Sequence, residues 1–326
     1  MVSRRFTARG DTPHMMLEAV NISKFYGARQ ALDSVGFAID KGEVVGFLGM
    51  NGAGKSTAMR ILSGFLAPTH GMARVGGKDP RLAATRQMIG YLPEANPLPP
   101  HVRVREYLRF RAGLKGLTGK AAAAAIAETV DNCRIGDMTD RMIGQLSKGM
   151  RQRVGLAESI LAKPEVLILD EPTAGLDPHQ AHQTRELITR LGSGTTVLLS
   201  SHILGDIERL CRRVIILDRG RVAADGDLDA ICERNVEERV ISLEIASSEP
   251  VREALRAIPG VRTVAVSQQE EAPGTLSIRV TTPAGVDLRQ ELSQVCAQRG
   301  WLITEMKLEP VRLEDIFRRL ATARGA

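Results

Sequence analysis

Apolar and polar positions change rhythm three times along the first two thirds of the chain. From Leu17 to Gly46 short apolar alternations are broken at Tyr26-Gly27 and Lys41-Gly42. This predicts strands of a small antiparallel sheet leading into a buried strand over Val44–Leu48. Between Thr85 and Leu161 the spacing turns helical, with Arg105–Lys115 and the alanine run Ala121–Ala125 built from good helix formers. Continuous apolar runs then return at Val166–Leu169, Thr196–Leu199 and Val214–Leu217. Strands of this kind, alternating with helices, predict a parallel sheet covered on both faces.

After Asp229 the pattern shifts again. It predicts a strand at Val240–Ile245, a helix at Val251–Ala257, strands at Val261–Val266 and Leu276–Thr281, a helix at Leu288–Gln298 and a strand at Leu302–Leu308. The β-α-β-β-α-β order is that of a small ferredoxin-like α+β domain. Leu313, Ile316, Phe317 and Leu320 follow at i, i+3, i+4, i+7, which predicts a closing amphipathic helix near Leu313–Leu320. The expected organisation is an α/β domain over residues 15–229, with a helical subdomain at about 92–161, and an accessory domain over 230–326.

Composition narrows the function classes. Of 326 residues, 43% are apolar and 25% charged, ordinary for a globular chain. Aromatic residues make up only 3%, which argues against a base-stacking surface and so against a nucleic-acid partner. The net charge of +6 is interspersed along most of the chain and is most simply a solvated mixed surface. Four scattered cysteines, with no C-x-x-C pair, argue against zinc and disulfides and for a reducing cytosol. No run approaches the roughly 18 apolar residues that span a bilayer. Met1 to His14 carries Arg4, Arg5 and Arg9 without an apolar core, so it is expected to be a disordered leader and not a secretory signal, with Met15 or Met16 as a possible start.

Two segments carry chemistry. Gly49-Met50-Asn51-Gly52-Ala53-Gly54-Lys55-Ser56 fits G-x-x-x-x-G-K-[ST] between a buried strand and a helix. Glycines let successive backbone N–H groups close around phosphate oxygens, and the helix that follows adds its positive dipole end. Lys55 would reach the β- and γ-phosphates and Ser56 would ligate Mg²⁺, with Thr57 next in the loop-to-helix turn. The second segment, Val166-Leu167-Ile168-Leu169-Asp170-Glu171, ends a buried strand in two carboxylates. Such a strand end lies at the ligand crevice of an open α/β sheet. There Asp170 can hold the Mg²⁺ shell while Glu171 polarises an attacking water.

Between them, Leu146-Ser147-Lys148-Gly149-Met150 followed by Arg151-Gln152-Arg153 resembles the signature of ABC ATPases, a family of the P-loop NTPase fold. Further matches come in the family's order over roughly Leu17–Asp229. Tyr26 resembles the aromatic that stacks on adenine, Ala174-Gly175-Leu176-Asp177 the D-loop, and His202, after Leu199-Ser200-Ser201, the switch histidine. The resemblance implies ATP and Mg²⁺ as ligands and head-to-tail pairing with a second ATP-binding subunit, as a homodimer. In that pairing Ser147 and Gly149 of one cassette face the other's P-loop (Gly49, Asn51, Gly52, Ala53, Gly54, Lys55, Ser56), with Asp177 nearby.

Two departures stand out. Glu94, in Ile89-Gly90-Tyr91-Leu92-Pro93-Glu94, replaces the family's usual glutamine, and a carboxylate there is expected to join Ser56 and Asp170 at the metal. Lys148 and Met150 replace the usual Gly and Gln of the signature. Tyr91-Leu92-Pro93-Glu94, Asn96-Pro97-Leu98, Val104–Leu108 and Leu313-Glu314-Asp315-Ile316-Phe317 resemble the subgroup serving ABC-2-type membrane permeases. That implies ATP-driven export from the cytoplasmic face of the inner membrane, with membrane contact only through the permease. The alternative is a soluble ABC-type ATPase without a transport role. Such proteins usually carry paired cassettes or large coiled-coil or zinc insertions, and neither is visible here.

Overall fold

The computed structural model describes residues 15–234, 238–246, 251–268, 275–309 and 313–314. The expected leader and residues 315–320 of the expected closing helix lie outside the described residues. The chain divides into two compact units at Leu228–Asp229.

In the first unit, β1 (Met15–Tyr26) and β2 (Arg29–Asp40) form an antiparallel hairpin turning at Gly27, whose φ of 58° favours a residue without Cβ. β4 (His70–Val75) pairs with the other edge of β1. The second sheet is built around β3 (Val44–Gly49), with the order β5-β6-β7-β3-β8-β9. Here β5 is Ile89–Leu92, β6 Val166–Asp170, β7 Thr196–Ser200, β8 Arg213–Asp218 and β9 Arg221–Asp227. The first five strands of that order are parallel and β9 runs antiparallel at the edge. Every residue of β6 and β7 is buried, which is why their sequences read as unbroken apolar runs.

Helix α1 (Lys55–Leu62) follows β3 and buries Met59, Ile61 and Leu62 among Leu17, Leu32, Ile39 and Phe47. Each such side chain contributes about 1.5–3 kcal/mol when taken fully from water. Phe37 of β2 and Phe47 of β3 meet at 5.5 Å between ring centroids, joining the two sheets in one core. A short helix α2 (Ala83–Gln87) precedes β5. Then come α3 (Val104–Leu114), α4 (Gly119–Asn132) and α5 (Lys148–Ile160), the helical region.

One expectation needs correcting. The stretch from Thr85 read as helical, but Ile89–Leu92 is an edge strand of the main sheet. Gly90 decides this placement: a Cβ there would lie 2.2 Å from the Ser159 carbonyl oxygen of α5, so only glycine lets the strand lie under that helix. After β6 come α6 (Pro178–Gly192) and, after β7, α7 (Leu204–Leu210).

The second unit begins within α8 (Leu228–Arg234). It then runs β10 (Glu238–Ala246), α9 (Val251–Arg256), β11 (Thr263–Gln268), β12 (Thr275–Pro283), α10 (Arg289–Gln298) and β13 (Leu302–Leu308). The strands form an antiparallel sheet ordered β11-β12-β10-β13, so the two β-α-β halves interleave. Ile241, Leu243, Ile245, Leu255, Ile278, Val280, Leu292 and Trp301 give it a core of its own. Among the described residues, no helix is long and apolar enough to cross a membrane.

Candidate active site

The carboxyl ends of β3, β6 and β7 lie side by side and open into a cleft of about 760 Å³. Its floor is the loop from β3 to α1. Gly54 caps α1 with φ 107°, and a Cβ on it would lie 2.7 Å from the Ala31 carbonyl oxygen, so the loop can pack here only as glycine. No side chain caps the first turn of α1, which leaves its N–H groups available to an anion. Asn51, Gly52, Ala53, Ser56 and Thr57 line the same wall.

Lys55 folds back over this loop, and its Nζ donates to the Gly49 carbonyl at 2.7 Å. Burial pulls its pKa below the ordinary lysine value, while the charges of Glu171, Asp170 and Glu94 partly restore it. Its near neighbours through hydrogen bonds are carbonyls and not carboxylates. A desolvated ammonium held this way fits a phosphate oxygen.

Asp170 ends β6 almost fully buried, and the Ser200 hydroxyl donates to its Oδ1 at 2.6 Å, leaving Oδ2 for another partner. Glu171 follows with φ 57°, the left-handed region, at a cost of roughly 1–2 kcal/mol for a residue with a Cβ. Such outliers persist where the surroundings over-determine them. Its N–H donates to Ser200 Oγ at 3.1 Å. Its Oε2 accepts from the His202 N–H at 3.1 Å and lies 2.5 Å from His202 Nδ1. An ionised carboxylate only accepts, so His202 makes this contact as a donor when Nδ1 carries a proton. The turn after Glu171 is pinned by Thr173, whose hydroxyl donates to the buried Asp206 at 2.7 Å, and by Arg185 on the same carboxylate at 2.8 Å.

Tyr26 sits at the cleft rim, 47% exposed, with Lys24 Nζ 5.6 Å from its ring centroid. Glu94 is exposed and lines the cleft. Ser147, Gly149 and Asp177 do not line it. Ser147 is the exposed N-cap of α5, accepting from the Met150 N–H at 3.2 Å. Asp177 caps α6 through the Gln180 N–H at 2.8 Å, ahead of Pro178 at the first helical position. Gly149 is buried against that turn: a Cβ there would lie 3.2 Å from the Gly175 carbonyl oxygen. The cleft also holds Arg29, Ala31 and Arg60, which motif reading passes over. Arg60 stands one helical turn beyond Ser56 and Arg29 three residues beyond Tyr26, so spacing from recognised residues could have found both.

Comparison with known proteins places the chain in a family. The family model described as ABC transporter matches residues 32–174. The chain is 31% identical over 94% of its length to a Nod factor export ATP-binding protein I of Bradyrhizobium diazoefficiens, covering 96% of that protein. It is 34% identical over 78% of its length to a linearmycin resistance ATP-binding protein of Bacillus subtilis, covering 83% of it. Among solved structures, an ATP-binding subunit of an ABC transporter matches with TM-score 0.63 and 33% identity, over 67% of this chain and 92% of that one. The dimeric bacterial ABC transporter cassette MJ0796 matches with TM-score 0.61 and 26% identity, over 65% of this chain and 99% of that one. The same cassette is also known in a post-hydrolysis state bound to ADP and Pi. With a phosphate loop, a paired acidic strand end and near full-length relatives in agreement, the chain belongs to the ATP-binding subunits of ABC transporters, enzymes that couple ATP hydrolysis to transport.

Proposed function

We propose that this subunit hydrolyses Mg²⁺-ATP in the cleft and drives a separate ABC-2-type permease in export. The observation that carries the chemistry is that Lys55, at the open end of α1, and Asp170, Glu171 and His202, from the ends of β6 and β7, line one cleft. Lys55 and the amides of 51–56 hold the β- and γ-phosphates, and Tyr26 stacks on the adenine. Glu171 accepts a proton from the attacking water, with His202 holding its Oε2.

Ser56, Asp170 and Glu94 offer hard oxygen ligands of the kind Mg²⁺ takes alongside phosphate oxygens and water. When bound, Mg²⁺ neutralises charge on the transferring phosphate. Ser147 and Gly149 take their role from a second copy of the chain, clamping the nucleotide held on its partner's loop, with Asp177 beside them. This reading makes residues 15–229 the ATPase domain and 230–326 an accessory, dimer-supporting or regulatory domain. The subunit then works at the cytoplasmic face of the inner membrane, bound to the permease.

Export is supported by the names of the relatives, one serving Nod factor export and another linearmycin resistance. Purification from detergent-solubilised membranes tests the pairing. The expected result is co-purification with a protein of about six apolar spans and ATPase activity that rises when the two are joined. Recovery only in the soluble fraction, or with ribosomes, overturns it.

A further inference from the structure

Glu171 is held in the left-handed region by donors and acceptors from several elements. Ser200 at the end of β7 takes its N–H, and His202 takes its carboxylate. Its carbonyl accepts from the Ala174 N–H at 3.1 Å, within the turn, and from Gln152 Nε2 at 3.0 Å. Gln152 belongs to α5, the helix that Ser147 caps, and is only 5% exposed. It stands on a face otherwise made of Gly149, Gly155, Leu156 and Ser159. A buried amide on such a face requires a partner, and the one this amide donates to is the backbone of the carboxylate that polarises water.

The residue one turn earlier on α5 makes the same arrangement closer. Gly149 lets the helix approach the Gly175 carbonyl and Leu176, so α5 meets that turn near its end as well as at Glu171. On its next turn Gly155 gives room to Asn96, whose Nδ2 donates to the Arg151 carbonyl at 3.1 Å and so ties the segment just after Glu94 to the same helix. One helix thereby touches the backbone of Glu171 and the neighbourhood of Glu94, while its exposed end carries Ser147.

From this geometry we infer that Gln152 is a positioning residue for hydrolysis: its amide fixes the backbone of Glu171 so that the carboxylate points into the cleft, and it transmits the position of α5 to that carboxylate. The inference rests on the proposed role of Glu171 as the base. Gln152 is buried and its amide is spent on the Glu171 carbonyl, so its effect is expected in turnover and not in nucleotide affinity.

The test is a double-mutant cycle on the full chain, with kcat, KM for ATP and fluorescent-nucleotide affinity measured for each member. Gln152→Met keeps the length and removes the donor; Gln152→Glu keeps the shape and places an acceptor against the carbonyl. Both are expected to lower kcat by about tenfold while KM and affinity stay within about threefold, the pattern of an interaction that matters in the transition state. In a Glu171→Gln background either change is expected to have no further effect on the residual turnover, because Gln152 acts through Glu171. Equal fractional losses in the two backgrounds overturn the inference, as does parent-like kcat in both variants. Loss of nucleotide binding in both overturns it too, by marking Gln152 as a residue the fold needs. Parent-level turnover in Glu171→Gln alone removes instead the assignment of the base, a separate outcome read from a separate member of the cycle.

Discussion

Two helices of this protein begin with their N-terminal amides turned toward an expected phosphate, and they are finished differently. At α1 the cap is Gly54, which has no side chain to satisfy the first-turn N–H groups, and the loop before it forms the floor of the cleft. At α5 the cap is Ser147, which occupies one amide itself, and the end is exposed and outside the cleft. On the proposed reading the first supplies its phosphate contacts from within one chain. The second has the chemistry of an anion site but no facing wall of its own, so on the proposed reading a partner's nucleotide supplies that wall. Binding should therefore belong to α1 and assembly to α5, with hydrolysis needing both.

The largest effect is expected at Glu171, which lines the cleft beside α1 and accepts from Gln152 of α5. Glu171→Gln should lower turnover by about 100-fold or more, the range for losing a general base, yet keep nucleotide affinity and accumulate an ATP-bound dimer in sedimentation. Turnover near the parent value would remove Glu171 from the chemistry. Next, Lys55→Ala should weaken nucleotide affinity by about 10–100-fold, the loss of a charge-assisted contact to phosphate, as read by fluorescent-nucleotide titration. On the α5 side, Ser147→Ala should leave monomer affinity unchanged while weakening ATP-dependent dimerisation by about tenfold, with a cap loss of about 0.5–2 kcal/mol on the helix. If Ser147→Ala lowers monomer affinity as much as Lys55→Ala does, the contrast between the two helix ends is false. The smallest change is expected from Glu94→Gln, which should shift the Mg²⁺ dependence of turnover while preserving much of the rate; an identical Mg²⁺ titration would place Glu94 outside the metal's reach.

Much of the first unit was legible because burial on both faces leaves a plain mark. β3, β6, β7 and β8 are apolar through most of their length, and the sequence shows them as such. Edge strands leave no such mark. β9 reads Arg-Val-Ala-Ala-Asp-Gly-Asp, alternately exposed and half-buried, and β4 buries only Ala73 and Val75. β5 reads in the sequence as part of the helical region because four residues are too few to show a period of two. The phosphate loop was legible for a different reason. Its function is carried by consecutive backbone groups, so the glycines and Lys55 that serve it must be neighbours in sequence.

The rest of the site joins residues far apart in the chain. That Ser200 holds Asp170, that His202 holds the Glu171 carboxylate, and that Gln152 reaches the Glu171 carbonyl all follow from the parallel order β6-β7 and the seating of α5. Nothing in the residue types around Glu171 announces its φ of 57°, since local propensity would choose glycine or asparagine there. By itself, then, the sequence determined the buried strands, the glycine loop and the chemical identity of the acid pair, because each is written in contiguous residues. Only the tertiary structure decided which donors hold that pair and why Ser147 stands apart from the cleft, because hydrogen-bond geometry between distant segments is set by packing and not by spacing along the chain.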